Sequence, residues 1–264
     1  MDETCRDFAF VGANAWRVLE AQAGVIDQKV DGINPIEWMM KTAAANNITV
    51  IRMFASSVTP DIILQTGPNS YNEQALQALD QTVALAGKYG IRLTLIFVDT
   101  WKTPESITNF AGWSGTSISD FFTNPTVINM FKDHMTYMVT RTNTVTGVKY
   151  SEDPTIFSWN LANEPRFQYN YTTCQSDPQQ CGNDINNWIK ETSAHLKSID
   201  SNHMVTVGYE GFFGHGSQYL GANPSSGWPE YTGQEFDVNG EISDIDYVGA
   251  SLNSKLSCYN HLII

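Results

Sequence analysis

The sequence predicts an α/β domain whose parallel strands alternate with helices and close as a (β/α) barrel. Three observations lead there. Six short β-rich runs punctuate the chain, and four long stretches carrying helix start and stop signals lie between them. The turn after the first run, "GANAWRV", lacks the glycine spacing of a dinucleotide-binding loop. Alternation of this kind implies a parallel sheet with helical crossovers. The missing glycine loop favours a barrel over an open nucleotide-binding sheet.

The elements follow in order. Strand runs are read at 8–15 ("FAFVGANA"), 48–54 ("ITVIRMF"), 91–99 ("IRLTLIFVD"), 155–162 ("TIFSWNLA"), 203–209 ("HMVTVGY") and 245–251 ("IDYVGAS"). Nearly continuous apolar runs suit parallel strands buried on both faces. A helix over 34–47 opens on Asn34 as N-cap with Pro35 at its first position, where a missing N–H does no harm. A second over 72–90 ends on Lys88 and Gly90, a cation and a glycine suited to a helix C-terminus. Two more are read at 124–143 and 182–200.

Composition sets outer bounds. With 264 residues, 42% hydrophobic and 16% charged, the chain fits one soluble domain with a substantial core. No apolar run approaches the roughly 18 residues that would cross a membrane. A net charge of −13 argues against nucleic acid, whose phosphates need a basic surface. Acidity of this size mainly serves solubility. Aromatic residues make up 12% of the chain, enough to supply both a core and flat faces for a neutral polyhydroxylated ligand.

Cys174 and Cys181 bracket the short polar loop "CQSDPQQC" and are the expected disulfide, while Cys5 and Cys258 are left unassigned. No cysteine or histidine spacing supports a metal site. Asn47 in "NIT" and Asn170 in "NYT" are glycosylation acceptors, which would suit an extracellular protein. The first ten residues have no apolar signal core, so secretion would require a signal already removed or lost.

The most informative stretch is "DPTIFSWNLANEPRF", 153–167, where a buried strand runs into Asn163-Glu164-Pro165-Arg166. In a (β/α) barrel the active site is built at the C-terminal strand ends. Glu164 would sit there, with Trp159 and Leu161 expected to desolvate its carboxyl and raise its pKa, as a proton donor requires. Asn163 is placed to bond a sugar hydroxyl or orient the acid. A glutamate at a strand end can equally do no more than hold local backbone. Arg52, read as the end of the second strand, needs a carboxylate partner at the same rim. Trp101 offers either a stacking face or a core side chain. Glu210 ends the fifth strand as a second rim carboxylate.

With these residues in view, the block "DFFTNPTVINMFKDHMTYMVTRTNTVTGVKYSEDPTIFSWNLANEPR" resembles endo-β-1,4-mannanases of glycoside hydrolase family five. "FVGANAW", "VIRMF", "GYEGF" and "GQEFDVNGEISDIDYVGAS" extend the likeness over nearly the whole chain. The resemblance implies a (β/α)8 TIM barrel and retaining hydrolysis of internal β-1,4-mannosidic links in mannan or glucomannan by two glutamates. It makes Glu164 the general acid/base and Asn163 its sugar-contacting neighbour. Arg52 would support the nucleophile, Arg166 and Glu210 would serve sugar subsites, and Trp16 and Trp101 would line the cleft. No cofactor is implied. The implied partner is β-mannan or a related plant polysaccharide, met by a secreted protein that is monomeric when complete.

The sequence departs from the family pattern in three places. After the sixth strand the family reads His-x-Tyr, followed by proline and a downstream tryptophan, whereas Ser251 and Asn253 stand here. At the third strand end Asp99-Thr100-Trp101 replaces Asn-Asn-Trp. The chain also ends at Ile264, with about six of eight β/α units counted and no seventh strand to carry the nucleophilic glutamate. The expectation is a single catalytic domain over 1–264, C-terminally incomplete and inactive by itself. Two other readings stay open: a β-glucan hydrolase of the same family, such as a cellulase or exo-glucanase, and a non-catalytic carbohydrate-binding relic.

Overall fold

The computed structural model describes residues 9–26, 32–167, 171–224 and 227–250, with the side chains of 171–173 left aside. Among them, one sheet carries six strands: β1 (Gly12–Ala15), β2 (Val50–Phe54), β3 (Arg92–Ile96), β4 (Ile156–Asn163), β5 (Met204–Tyr209) and β6 (Gly249–Ala250). Each strand pairs with the next in chain order, and every pairing is parallel. Sequential parallel order of this kind is that of a (β/α) barrel, here an open section of one. A small antiparallel hairpin, Gln65–Gly67 with Ser70–Tyr71, stands apart from the sheet and carries no signal that the sequence reading used.

The helices are α1 (Val18–Gln22), α2 (Pro35–Ala45), α3 (Glu73–Lys88), α4 (Ile107–Ser114), α5 (Pro125–Thr140), α6 (Tyr171–Ser176), α7 (Pro178–Ile199) and α8 (Phe236–Gly240). Their starts are written in the sequence. Asn34 accepts hydrogen bonds from the backbone N–H of Ile36 (2.8 Å) and Glu37 (3.2 Å), while Asn72 and Asn124 each accept one from the residue two places on. Such caps contribute about 1 kcal/mol each. The fourth expected helix starts at Pro178, not at 182: Asp177 caps it by accepting from Gln180 N–H at 3.0 Å. The Asp-Pro signal lay inside the cysteine loop and was passed over there. The expected disulfide, Cys174–Cys181, is formed and ties α6 to α7.

Several strand limits differ from expectation. β1 begins only at Gly12, and β3 ends at Ile96. Among the described residues, the run read at 245–251 is strand only at Gly249–Ala250; before it, Asp246 meets β5 through both backbone and side chain, its N–H donating to Val205 O at 2.9 Å. Asp246 Oδ2 accepts from Val205 N–H at 2.6 Å and from Lys197 Nζ at 2.6 Å. Residues Cys5, Asn170, Ser251, Asn253 and Cys258 lie outside the described residues.

The core fills the layer between the sheet and its helices. Trp159 of β4 stacks on Phe97 at 5.0 Å, and Trp188 of α7 stacks on Phe131 of α5 at 5.6 Å. Phe121 and Phe122 close against Trp188 from the turn Ile118–Phe122. Carboxylates are sunk into this layer as well, Asp80 and Asp200 among them. Asp80 of α3 is fully buried and accepts from Arg141 (Nε 3.0 Å, Nη2 2.7 Å), Tyr150 Oη (2.7 Å) and Thr144 Oγ1 (2.8 Å). Burial pushes its pKa up, but the bonds from Arg141, Tyr150 and Thr144 outweigh that and hold it below the ordinary carboxylate value.

Removing Arg141 strips Asp80 of its countercharge. Arg141→Ala is expected to cost about 3 kcal/mol at neutral pH by urea unfolding. A carboxylate held low contributes stability above its unfolded pKa and loses it as pH falls. Wild-type stability should therefore drop on acidification below about 4, and less steeply in the variant. A loss under about 1 kcal/mol at pH 7 would show that the pair does little.

Candidate active site

The ends of β2, β3, β4 and β5 converge on one polar cluster. Its geometry starts with an irregularity in β4. Asn160 pairs with Thr206 of β5 and Asn163 pairs with Gly208, so three steps on β4 answer two on β5. The extra residue is a bulge, which turns the strand end and re-aims its side chains. Beyond it Glu164 takes φ +50°, a left-handed conformation that an ordinary side chain adopts at a cost of about 1 kcal/mol. Its N–H still donates to Gly208 O at 2.7 Å, and Pro165 then has no N–H to continue the ladder. Thr100 Oγ1 donates to the carbonyls of Asn163 (2.9 Å) and Glu164 (2.5 Å), fixing the turned backbone from the β3 side.

Glu164 is buried, and Trp101 Nε1 donates to its Oε2 at 2.5 Å. Among the described residues no hydrogen bond engages Oε1. Trp159 is not part of this environment, contrary to expectation. It points into the helix layer, where its Nε1 donates to Asp200 at 2.7 Å. Alternation along the strand sends it away from the rim.

Arg52 is not the end of β2 but its central residue, and its side chain runs up the concave face to the rim. Its direct partners are amides instead of the expected carboxylate: Nη2 donates to Asn163 Oδ1 at 2.8 Å and Nη1 to Asn14 Oδ1 at 3.2 Å. Burial pushes its pKa down to about 10, opposed by the nearby charges of Glu164, Tyr247 and Asp99. The passage to the rim exists because residue 208 is glycine. A Cβ there would overlap the Arg52 guanidinium and sit 3.0 Å from Asn160 Nδ2. Asn163 also donates through Nδ2 to Asp99 Oδ1 at 3.0 Å, so both ends of its amide are engaged. Asp99 is raised above its usual range by burial, against the bonds it receives from Asn163 and Trp101.

Arg166 and Glu210 form the other half. Arg166 Nη1 donates to Glu210 Oε1 at 3.1 Å, and Gln234 Nε2 donates to Glu210 Oε2 at 2.9 Å. Burial raises the Glu210 carboxyl to about 7, with Glu164 adding to the rise and Arg166 and Gln234 opposing it. The Arg166 guanidinium also lies over two indoles, 4.3 Å from the Trp101 ring centre and 5.5 Å from that of Trp228.

Six of the seven residues expected at the site are thus in one network: Glu164, Arg52, Asn163, Arg166, Glu210 and Trp101. Trp101, 43% exposed, is a rim side chain and not a core one. Trp16 stands apart, exposed after β1 with the Arg17 guanidinium over its ring. Asn14, Gln234 and Trp228 complete the cluster without having been singled out, and Asp99, named above only as a departure from the family's third-strand pattern, joins them. Asn14 and Gln234 sit in stretches that carried the family likeness, "FVGANAW" and "GQEFDVNG", which was the available signal.

Comparison with known proteins identifies the family. The model of the GH family 5 beta-mannosidase-like family matches residues 1–222. Mannan endo-1,4-beta-mannosidase 1 of Oryza sativa subsp. japonica is 39% identical over 214 residues, which cover 78% of this chain and 47% of the relative. Mannan endo-1,4-beta-mannosidase 4 of Solanum lycopersicum is 38% identical over 211 residues, with 78% and 49% covered. The chain therefore spans about half the length of these curated relatives. Among solved structures, the endo-1,4-beta-mannanase of Rhizomucor miehei superposes with a TM-score of 0.76 at 28% identity, over 94% of this chain and 68% of that one. The endo-beta-1,4-mannanase of Thermotoga petrophila gives 0.72 at 26% identity, over 93% and 52%. With its strand order and these matches in agreement, the chain belongs to the beta-mannosidase-like family within glycoside hydrolase family 5.

Proposed function

We propose that this chain carries the acid/base side of a retaining endo-β-1,4-mannanase acting on mannan or glucomannan. The observation that supports it most is the presentation of Glu164. Its carboxyl is buried at a strand end, bonded through Oε2 to the Trp101 indole, with Oε1 left for a substrate. In the proposed reaction Glu164 gives its proton to the glycosidic oxygen as the C–O bond breaks. The sugar passes to a nucleophilic carboxylate, a role not given to any residue here. Glu164, now ionised, then takes a proton from water, which attacks the glycosyl ester and frees both sugar and nucleophile. Asn163 holds position between Arg52 and Asp99, and Arg52 supplies positive charge to the anionic partners of the reaction. Arg166 and Glu210 bind a sugar ring through hydrogen bonds.

Extracellular residence is part of the proposal. The Cys174–Cys181 disulfide suits an oxidising compartment, and Asn47 of the "NIT" triplet is exposed. Asp99 at the rim supports a second reading, a β-glucan hydrolase, since a carboxylate replaces the family's amide beside Asn163. Hydrolysis of cellulose in preference to mannan and glucomannan would favour it.

In the enzyme that carries this chain, Glu164→Gln should lower kcat on mannan by about 10²–10⁴-fold. An aryl mannoside with a good leaving group needs no acid, so its first step should survive and azide should rescue turnover. Unchanged activity on mannan would sink the assignment. Glu210 accepts from Arg166 and Gln234 as a carboxylate, so protonation as pH falls through about 7 should weaken sugar binding. Glu210→Gln should flatten that pH profile of KM; a profile unaltered by the substitution would exclude Glu210 as its source. Gly208→Ala should push Arg52 off Asn163 and cut kcat at least about tenfold, since small misplacement of catalytic groups is costly. Wild-type kcat in that variant would mean that Arg52 has no need of its present path.

A further inference from the structure

We infer that Trp228 is a sugar-stacking platform on the leaving-group side of Glu164, taking the apolar face of a β-linked hexopyranose whose hydroxyls meet Arg166 and Glu210. This rests on the reading above, in which Glu164 protonates the leaving oxygen and Arg52 serves the opposite partner. Trp228 comes from the loop after β5. Its indole is 45% exposed although it packs edge-on with Phe212 at 4.9 Å. Exposure alone does not distinguish it, since Trp38 on α2 is 43% exposed; what sets Trp228 apart is the Arg166 guanidinium over its ring, which ties it to the rim cluster.

The loop presents it rigidly. Gly227 has φ +101°, a conformation that excludes ordinary side chains, and Pro229 fixes the backbone one residue beyond Trp228. Glu230 Oε1 accepts from Gly227 N–H at 3.2 Å and closes the turn Trp228–Tyr231. A side chain held in place before its ligand arrives loses little entropy on binding.

The contacts also give direction. Arg166 lies over both Trp101 and Trp228, and Trp101 holds Glu164. The indole of Trp228 is therefore joined to the proton donor through one guanidinium and one further ring. Asn163 is bonded to Arg52 of β2 and to Asp99 after β3, whereas Glu210 and Trp228 come from the end of β5 and the loop beyond it, with Arg166 reaching between Trp101 and that side. A sugar ring beside Trp228 is thus beyond the acid, on the side from which the leaving group departs.

The test is binding by the purified chain, followed by calorimetry with β-1,4-linked mannobiose and mannohexaose. The variants are Trp228→Ala, Trp228→Phe and, as a remote exposed indole on α2, Trp38→Phe, each checked for native circular dichroism. The unmodified chain and Trp38→Phe should bind mannohexaose more tightly than mannobiose. Trp228→Ala should weaken mannohexaose binding about tenfold, as truncation of an aromatic anchor does, and abolish the gain with length. Trp228→Phe should restore most of it. A Trp228→Ala chain that keeps the full preference for mannohexaose overturns the platform and leaves the sugar-binding site standing. Equal losses for both sugars that Trp228→Phe does not repair also overturn it, in favour of a structural role. Failure of the unmodified chain to bind either sugar overturns the reading of the site and the platform with it.

Discussion

A guanidinium buried beneath the ends of parallel strands organises the rim of this protein. Removing such a charge from water costs several kcal/mol unless polar partners replace the solvent. Arg52 obtains two amide oxygens, from Asn14 on β1 and Asn163 on β4, and the field of Glu164 and Asp99. Meeting that demand draws four strands to one point. It engages Asn163 at both ends, requires glycine at 208 and leaves Glu164 fixed beside the cation. The acid follows directly on Asn163, the amide that the arginine holds, and is itself held by Trp101 and Thr100.

The loops above the sheet are secured by the same economy of buried charge. Glu20 of α1 accepts from the N–H of Val58 (2.6 Å) and Thr59 (3.1 Å). Glu105, after β3, accepts from the N–H of Ser57 (2.5 Å), Leu64 (2.9 Å) and Gln65. Two carboxylates thus bind the loop after β2 to its neighbours on either side through backbone amides. Charge-assisted bonds of this type are shorter and stronger than neutral ones.

The fold was legible where local chemistry decides it. Asn34 and Pro35, or Lys88 and Gly90, mark helix ends whatever surrounds them, and the predicted helices over 34–47 and 72–90 agree with α2 and α3 to within a residue or two. The site was legible at Glu164 and Arg166, whose strand-end position follows from the apolar run before them. What escaped the sequence depends on distant partners. The bond from Arg52 to Asn163 depends on a bulge that no residue of β4 announces. Trp159 was assigned to the wrong face because alternation has no meaning until the register is known. Trp228 lies 64 positions from Glu164 in number and joins it only through Arg166 and Trp101.

The extra residue near the end of β4 has a consequence for anyone who would redesign this protein. Excising it would straighten the strand and give β5 an unbroken partner, so the sheet itself would improve. The same edit would remove the turn that re-aims the strand end, and with it the present geometry by which Asn163 meets Arg52 and Glu164 meets Trp101. Regularity of the scaffold and competence of its rim are opposed at this one position. A sequence optimised for a regular strand alone would strip the buried Arg52 of an amide partner, so the loss of the site would register in stability as well.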